Sequence, residues 1–439
     1  METTVKTNAS ALGTTILIFG IAVAFISLAL TVRCYMPCPF GDEWFVIDSI
    51  ARGNGPSSWS WLFGQHNEHR IAIPRALIWL DLVRFDGKNV SLFVEIYLVL
   101  LLHWIAICCA LERLTNFPTA LKRTLQGLFA FCIFHPNQNE NLTWPFEISF
   151  VLPFAIATAS LLLSAFFPQL RRPWLATFYV AVSPLLAGLS LASGLLIGPV
   201  TLCLAVIRRL PYRFVIIILT AFLLSVGIYV WGYKSPDPAN SAQSALADPK
   251  GLFVYVLTYF GASWTKILPH KERLVALLSV ACFVALVIRA VRKQKLLSAF
   301  EWFCIAECSL MLVIALATAL GRLKFGVGQA YASRYQTPAM LYWGALCSLI
   351  ITAVWRARPQ RFKLVQGTLL LIMCLSALTF FRIWSATTSR ADSLRRACDS
   401  VVKGHYSEET LKTLGVPGGD IQPGATLLRK AWGAGGTPK

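Results

Sequence analysis

Eight stretches of this chain, 14–32, 91–111, 149–168, 214–232, 274–288, 300–320, 338–355 and 364–382, read as membrane spans, since a crossing helix takes about 20 mostly apolar residues. Residues 174–207 form a further apolar run, too long for one helix. Ser190-Leu191-Ala192-Ser193-Gly194 divides it into two short helices with a tight turn between them. Residues 119–134 make one more short span, for a total of eleven. Only 14% of the 439 residues are charged and 56% are hydrophobic, whereas soluble chains carry about a quarter charged residues. That balance excludes a disordered chain and a small disulfide scaffold and argues against a soluble multidomain enzyme. The fold class is all-α, a polytopic membrane protein of about eleven transmembrane helices. The net charge of +19 is read as topology, with no nucleic-acid partner, because Lys and Arg collect on the cytoplasmic side of such proteins.

With the N-terminus inside, the cytoplasmic segments are 1–13, 112–123, 169–173, 208–213, 289–299 and 356–363. These 55 residues carry 17 of the 40 Lys and Arg. The opposite side (33–90, 135–148, 190–193, 233–273, 321–337 and 383–439) carries 22 in 191 residues. The expected protein is therefore multi-pass in a cell inner membrane, with its N-terminus cytoplasmic and its C-terminus periplasmic or extracellular. Residues 1–383 form the transmembrane unit, with exported loops 33–90, 135–148, 233–273 and 321–337. Residues 384–439 form a short exported tail, with a helix expected within 391–402 and disorder from 431.

Polar residues with chemical capacity collect on the exported side, where a membrane protein places function. Interfacial helices are expected in the first exported loop, around Trp44, Trp59 and Trp61, and 251–264 reads as interfacial or re-entrant. Asp42 and Glu43 follow the first span closely; the simplest structural role for Asp42 is to cap the helix that begins there. His66, Glu68, His69 and Arg70 form the densest polar run of the loop. The two histidines, three apart, would share a helical face and could bind a divalent ion. Arg70 and Arg75 are natural phosphate partners. Asn137-Gln138-Asn139-Glu140-Asn141, between the third and fourth spans, offers oxygens for a cation or a sugar. Arg334 and Tyr335 precede the tenth span.

In layout, an acidic pair in Gly41-Asp42-Glu43-Trp44, a polar loop after the third span and Ser333-Arg334-Tyr335 before a late helix resemble the C-type (GT-C) membrane glycosyltransferases. His66-Asn67-Glu68-His69-Arg70 adds a resemblance to an uncharacterised bacterial branch. The resemblance spans nearly all eleven helices in layout and about 25 residues in motif. It implies transfer of a sugar from a polyprenyl-phosphate-linked donor to a glycan, lipid or other acceptor, on the exported face of the cell envelope and among membrane lipid. Asp42 and Glu43 would be the catalytic acids. His66, Glu68, His69, Arg70, Arg75, Asn139, Arg334 and Tyr335 would bind substrate, with Arg334 on the donor phosphate. Glu140 falls where metal-dependent members place a second acidic motif, so a divalent ion, Mg or Mn, is a candidate cofactor.

A lipid or solute transporter or flippase is the main alternative, with His103, Glu95, Glu301 and Glu307 as its intramembrane candidates. A surface polysaccharide polymerase or ligase is the other. Most of the twelve cysteines lie in spans. Cys34, Cys38 and Cys398 face the exported side, where Cys34 and Cys38 could pair and Cys398 is another possible partner.

Overall fold

The computed structural model describes residues 2–55, 58–234, 241–292, 297–416 and 419–433. It is helical nearly throughout. The helices are α1 (Glu2–Cys34), α2 (Asp42–Ala51), α3 (Trp59–Phe63), α4 (Ala72–Arg84), α5 (Val90–Leu114), α6 (Thr119–Ile133), α7 (Asn139–Thr143), α8 (Ile148–Ala165), α9 (Pro173–Gly188), α10 (Ile197–Ile207) and α11 (Tyr212–Val230). They continue with α12 (Ser241–Leu246), α13 (Pro249–Gly261), α14 (Glu272–Arg292), α15 (Ala299–Arg322), α16 (Gln336–Ala357), α17 (Phe362–Ala377), α18 (Phe380–Val402), α19 (Glu408–Thr413) and α20 (Gln422–Ala431). Eight helical segments are long and apolar enough to cross a membrane, and they coincide with the eight clear spans. Helices α6, α9 and α10 are the three shorter ones. Large apolar side chains such as Phe25, Leu102, Leu223, Leu278 and Leu371 point outward from the bundle. Lipid is the solvent that removes the cost of that exposure.

Close packing of α1 on α6 starts from small residues, as in many helix pairs in membranes. A Cβ on Gly20 would meet the Gly127 carbonyl oxygen at 2.3 Å, and one on Gly127 would meet the Ile16 carbonyl at 2.4 Å. The connections gather in two groups, one at each end of the bundle. At one end Arg356 pairs with Glu301 at 2.6 Å, Lys122 with Glu112 at 3.3 Å, and Gln366 donates to the Ala9 carbonyl at 3.0 Å. At the other end all six remaining connections touch. Ile73 N–H donates to Leu189 O at 3.2 Å, Arg70 to Tyr229 O at 2.7 Å, and Glu140 N–H to Ser333 Oγ at 3.3 Å. Asn137 reaches Ser263 O at 3.4 Å and Asn139 reaches Thr387 at 3.2 Å.

The tail differs most from expectation. Helix α18 begins at Phe380, well before residue 391, and α19 and α20 fold back onto the first long loop. Met36, Trp44, Ile47, Trp61, Ile78, Cys398, Val401, Leu414 and Leu428 share one apolar core there. Trp44 and Trp61 are buried in that core, and only Trp59 of the three tryptophans is exposed. Cys38 bonds to Cys398, not to Cys34. Cys34 is a buried free thiol. Residues 434–439, part of the segment expected to be disordered, lie outside the described residues. Helix α13 packs on α14, α15 and α16, with Tyr255, Tyr259 and Phe260 buried and Phe253 exposed.

Candidate active site

Gly41 sets the entry to α2. Its φ is +56°, and a Cβ there would meet the Trp144 ring at 2.9 Å, so a side chain is excluded twice over. Gly41 is the residue before the helix, and Asp42 is its first residue and makes no cap. The capping role expected for Asp42 is therefore absent, and its carboxylate turns to the loop. Its side chain is 46% exposed and lies 3.5 Å from His66 Nε2. Burial pushes the Asp42 carboxyl up, but the neighbouring His66 and the charge of Arg334 outweigh it and hold the group below its ordinary value.

Glu43 points the other way, into the protein, and is 1% exposed. Its oxygens accept from Phe146 N–H at 2.9 Å, Phe40 N–H at 3.2 Å and Asn89 Nδ2 at 3.2 Å. Burial pushes its carboxyl up to about 8 against those three donors. Glu43 fixes α2 to the start of α5 and to the turn before α8, which makes it a positioning residue for Asp42. Replacing it with Ala strands three buried donors at roughly 1–3 kcal/mol each. Glu43→Ala is therefore expected to lose on the order of 3 kcal/mol or more, read as a lowered midpoint of thermal unfolding in nanodiscs, while Glu43→Gln loses less.

Residues 65–70 form a hairpin and not the helical face expected of them. Strands β1 (Gln65–His66) and β2 (His69–Arg70) pair antiparallel, His66 directly opposite His69, and Asn67 takes a positive φ of 50° in the turn. Arg70 donates to the carbonyls of Phe63, Tyr229 and Trp231, and Arg75 to those of Trp61 and Gly64, each at 2.6 Å. Both guanidinium groups are taken up by backbone carbonyls flanking the hairpin and on the α11 end. Glu68 pairs with Arg322 from the end of α15 and lies 3.7 Å from His69 Nε2.

His69 Nδ1 is buried with no hydrogen-bond partner among the described residues. Burial pushes its imidazole down to about 4 from an ordinary 6.5. A depressed histidine means the unfolded chain binds more protons. Its contribution to stability is present above about 6.5 and is lost as pH falls towards 4. Thermal melts across that window are expected to show a decline that His69→Gln flattens; parallel curves for both proteins would refute it.

The Asn-rich segment is a knot and not an open cradle. Gln138 and Asn141 are fully buried. Asn141 donates to Arg334 O at 2.9 Å and to Thr337 at 2.7 Å, and Thr337 bonds Gln138 at 2.5 Å. These amides seat the start of α16 and so place Arg334. Glu140 Oε2 accepts from Arg334 N–H at 3.1 Å, and its Oε1 lies 3.6 Å from Arg390 of α18. With both oxygens facing donors, Glu140 does not fit Mg or Mn in this arrangement. Among the described residues no group of three or more His, Cys, Asp and Glu is placed to hold a metal. Tyr335 is buried and stacks on Tyr259 at 5.4 Å.

Arg334 is the hub. Its charge acts on Asp42, and the carboxylates of Glu147 and Glu140 act on it in turn. Glu147 was not among the candidates read from the sequence. It is 1% exposed, with Oε2 unpartnered among the described residues, and Arg334 is its strongest charged neighbour. With only 21 acids in the chain, a second Glu in loop 135–148 was a visible signal. Arg322 and Arg390 were also missed, because surface arginines beside a bilayer ordinarily serve topology.

No family model matches the chain, and no curated protein matches it. Among solved structures, the oligosaccharyltransferase of Archaeoglobus fulgidus, crystallised with Zn and sulfate, superimposes with a TM-score of 0.41 at 11% identity. The match covers 91% of this chain and 57% of that one, so the chain spans little more than half that protein's length.

Proposed function

We propose that this protein is a membrane glycosyltransferase that moves a sugar from a polyprenyl-phosphate donor to a glycan, lipid or other acceptor, at the end of the bundle where the first long loop, the loop after α6 and the connection before α16 come together. The observation that carries the reading is an Asp42 carboxylate 3.5 Å from His66 Nε2 that is held ionised in part by the charge of Arg334, a residue far away in the sequence. Transfer from a lipid phosphate to a hydroxyl needs a proton acceptor and a cation for the departing phosphate. Asp42 takes the acceptor hydroxyl's proton as its oxygen bonds to the anomeric carbon. The bond from that carbon to the phosphate oxygen breaks, and the electron pair leaves with the phosphate beside Arg334. A single displacement of this kind inverts the anomeric centre.

A small apolar cavity of about 70 Å³ lies between α6, α16 and α17, with His135, Ser263 and Ser376 among its polar lining. Its apolar lining suits part of the donor's isoprenoid chain. The Cys38–Cys398 bond supports an oxidising compartment for this end, as the charge count does.

A transporter reading has one observation in its favour. His103 of α5 bonds Thr158 of α8 at 2.9 Å, and Thr158 bonds Glu307 of α15 at 2.8 Å, all buried in the bundle. Glu301 does not join them: it caps α15 with Ser298 and pairs with Arg356. The deciding experiment compares surface glycans and polyprenyl-linked sugars in cells carrying the wild type or Asp42→Asn at equal abundance. Loss of one sugar with accumulation of its lipid-linked donor supports transfer. Unchanged glycans remove Asp42 from the chemistry and move the transporter reading ahead.

A further inference from the structure

Helix α2 buries Glu43, Trp44, Val46 and Ile47 but leaves Phe45 65% exposed. A single exposed apolar side chain is ordinary, and it is the surroundings of this one that set it apart. Phe45 lies three residues after Asp42, so the two side chains share a face of the helix, with Cβ atoms roughly 5–6 Å apart. His66, 3.5 Å from the Asp42 carboxylate, meets the Phe45 ring edge to face with centroids 5.3 Å apart. Phe146 also contacts that imidazole, at 5.9 Å, and Trp144 stacks on Phe146 at 5.7 Å. The Trp144 ring in turn covers Gly41, where a Cβ would meet it at 2.9 Å. Asp42 is therefore a half-exposed carboxylate with an aromatic ring on each side of it along the helix.

Two observations choose what lies against Phe45. The first is the polarity of its other neighbours on the helix surface, Asp48 and Ser49. Asp48 pairs with Arg52 at 2.6 Å and accepts from Gly424 N–H at 3.3 Å, and Ser49 accepts from Trp61 at 3.1 Å. A face with a carboxylate before and after the ring does not enter lipid, where both would lose their hydration. The second is the pairing of ring and acid. A π face attracts the weakly positive C–H groups of a ligand, and a carboxylate beside it accepts hydrogen bonds from that ligand's hydroxyls. A pyranose ring carries C–H groups on its face and hydroxyls at its rim. An isoprenoid chain has no hydroxyl to offer, and a phosphate would face two carboxylates.

We propose that Phe45 is the platform for the acceptor's sugar ring, with the hydroxyl to be glycosylated turned towards Asp42. The proposal rests on the glycosyltransferase reading: where Asp42 takes the acceptor's proton, the ring nearest Asp42 belongs to the acceptor and not to the donor. It narrows the acceptor to the sugar of a glycan or glycolipid, because a plain lipid or a serine or threonine hydroxyl brings no ring to lie on Phe45.

The test is saturation-transfer NMR on the full chain in phospholipid nanodiscs, free of glycoside detergents, with methyl glycosides of neutral hexoses and N-acetylhexosamines as probes. At least one glycoside is expected to bind wild type, with its ring C–H protons saturated most strongly. Phe45→Leu keeps an apolar side chain against His66 but has no π face. It is expected to weaken that binding about fivefold or more, the size of one aromatic contact, with the thermal midpoint unchanged, whereas Phe45→Trp retains the binding. No binding to wild type, or binding that Phe45→Leu leaves as it was, overturns the platform. So does Phe45-dependent binding of geranyl phosphate that the glycosides do not displace, which would make the ring a contact for the donor's chain. Glycoside binding through Phe45 in a protein whose Asp42→Asn variant leaves cellular glycans unchanged keeps the sugar site and sinks the transferase reading alone.

Discussion

Asp42→Asn is expected to lower sugar transfer by about 10²–10⁴-fold, the range for removing a positioned base, with the protein folded and at normal abundance. The fold is spared because Asp42 caps nothing and is half exposed, its close partner being His66 at 3.5 Å. Asn keeps the shape and the hydrogen-bonding capacity but cannot take a proton. The wild-type profile carries a second expectation. Burial raises the Asp42 carboxyl, but the neighbouring His66 and the charge of Arg334 hold it below the ordinary value. Its ionised form is therefore retained as pH falls to the ordinary carboxylate range of about 4. Activity limited by this group stays flat above that range and drops only beneath it; an acid limb near neutrality would assign the base elsewhere. Arg334→Lys keeps a charge but loses the planar fork that grips phosphate oxygens. It is expected to recover only part of what Arg334→Gln loses, mostly in kcat. Rates would be measured with a polyprenyl-phosphate sugar identified from the lipid that accumulates in cells.

Breaking the Cys38–Cys398 bond is the other large effect. It joins positions 360 residues apart, and in the chain-entropy picture long loops yield the largest gains, around 4.7 kcal/mol for 100 residues. Here the spans restrain the intervening chain even when the polar end unfolds, so the gain approaches the ordinary 2–4 kcal/mol. Cys398→Ser is expected to lower the thermal midpoint and to expose α18–α20 to protease before the spans melt. The supporting contacts are exposed ion pairs such as Arg33–Asp392 at 3.2 Å and Arg52–Asp420 at 2.8 Å, each contributing little in water. The apolar core around Trp44, Val401 and Leu428 then carries what remains. A variant as protease-resistant as wild type would mean that this core suffices alone.

The candidate site was legible in its residue types and only partly in their use. Asp42 lies 3.5 Å from His66, and Glu140 accepts from the Arg334 backbone N–H. Arg70 and Arg75 read equally well as phosphate ligands, yet carbonyl oxygens occupy both. An arginine's charge is a sequence property, while its partners depend on which carbonyls a turn leaves unpaired. The short His66–His69 spacing suited a helix, but Gly64 before it and the Asn67 turn made a hairpin, where opposed strands place the rings together by another route. Glu147 passed unnoticed because a Glu at a span's edge is ordinary until an arginine arrives beside it.

The eight long apolar spans and the all-helical class followed from the sequence by itself. Transfer of an apolar stretch into lipid is summed over about 20 adjacent residues, and the bias of Lys and Arg acts on each short loop in turn. Both quantities are local and add along the chain. Which acid faces Arg334, which cysteine pairs with Cys38 and which core α18 completes were decided by the tertiary structure. Those are pairwise meetings between segments far apart in sequence, and a few tenths of a nanometre in helix packing determine whether each one closes.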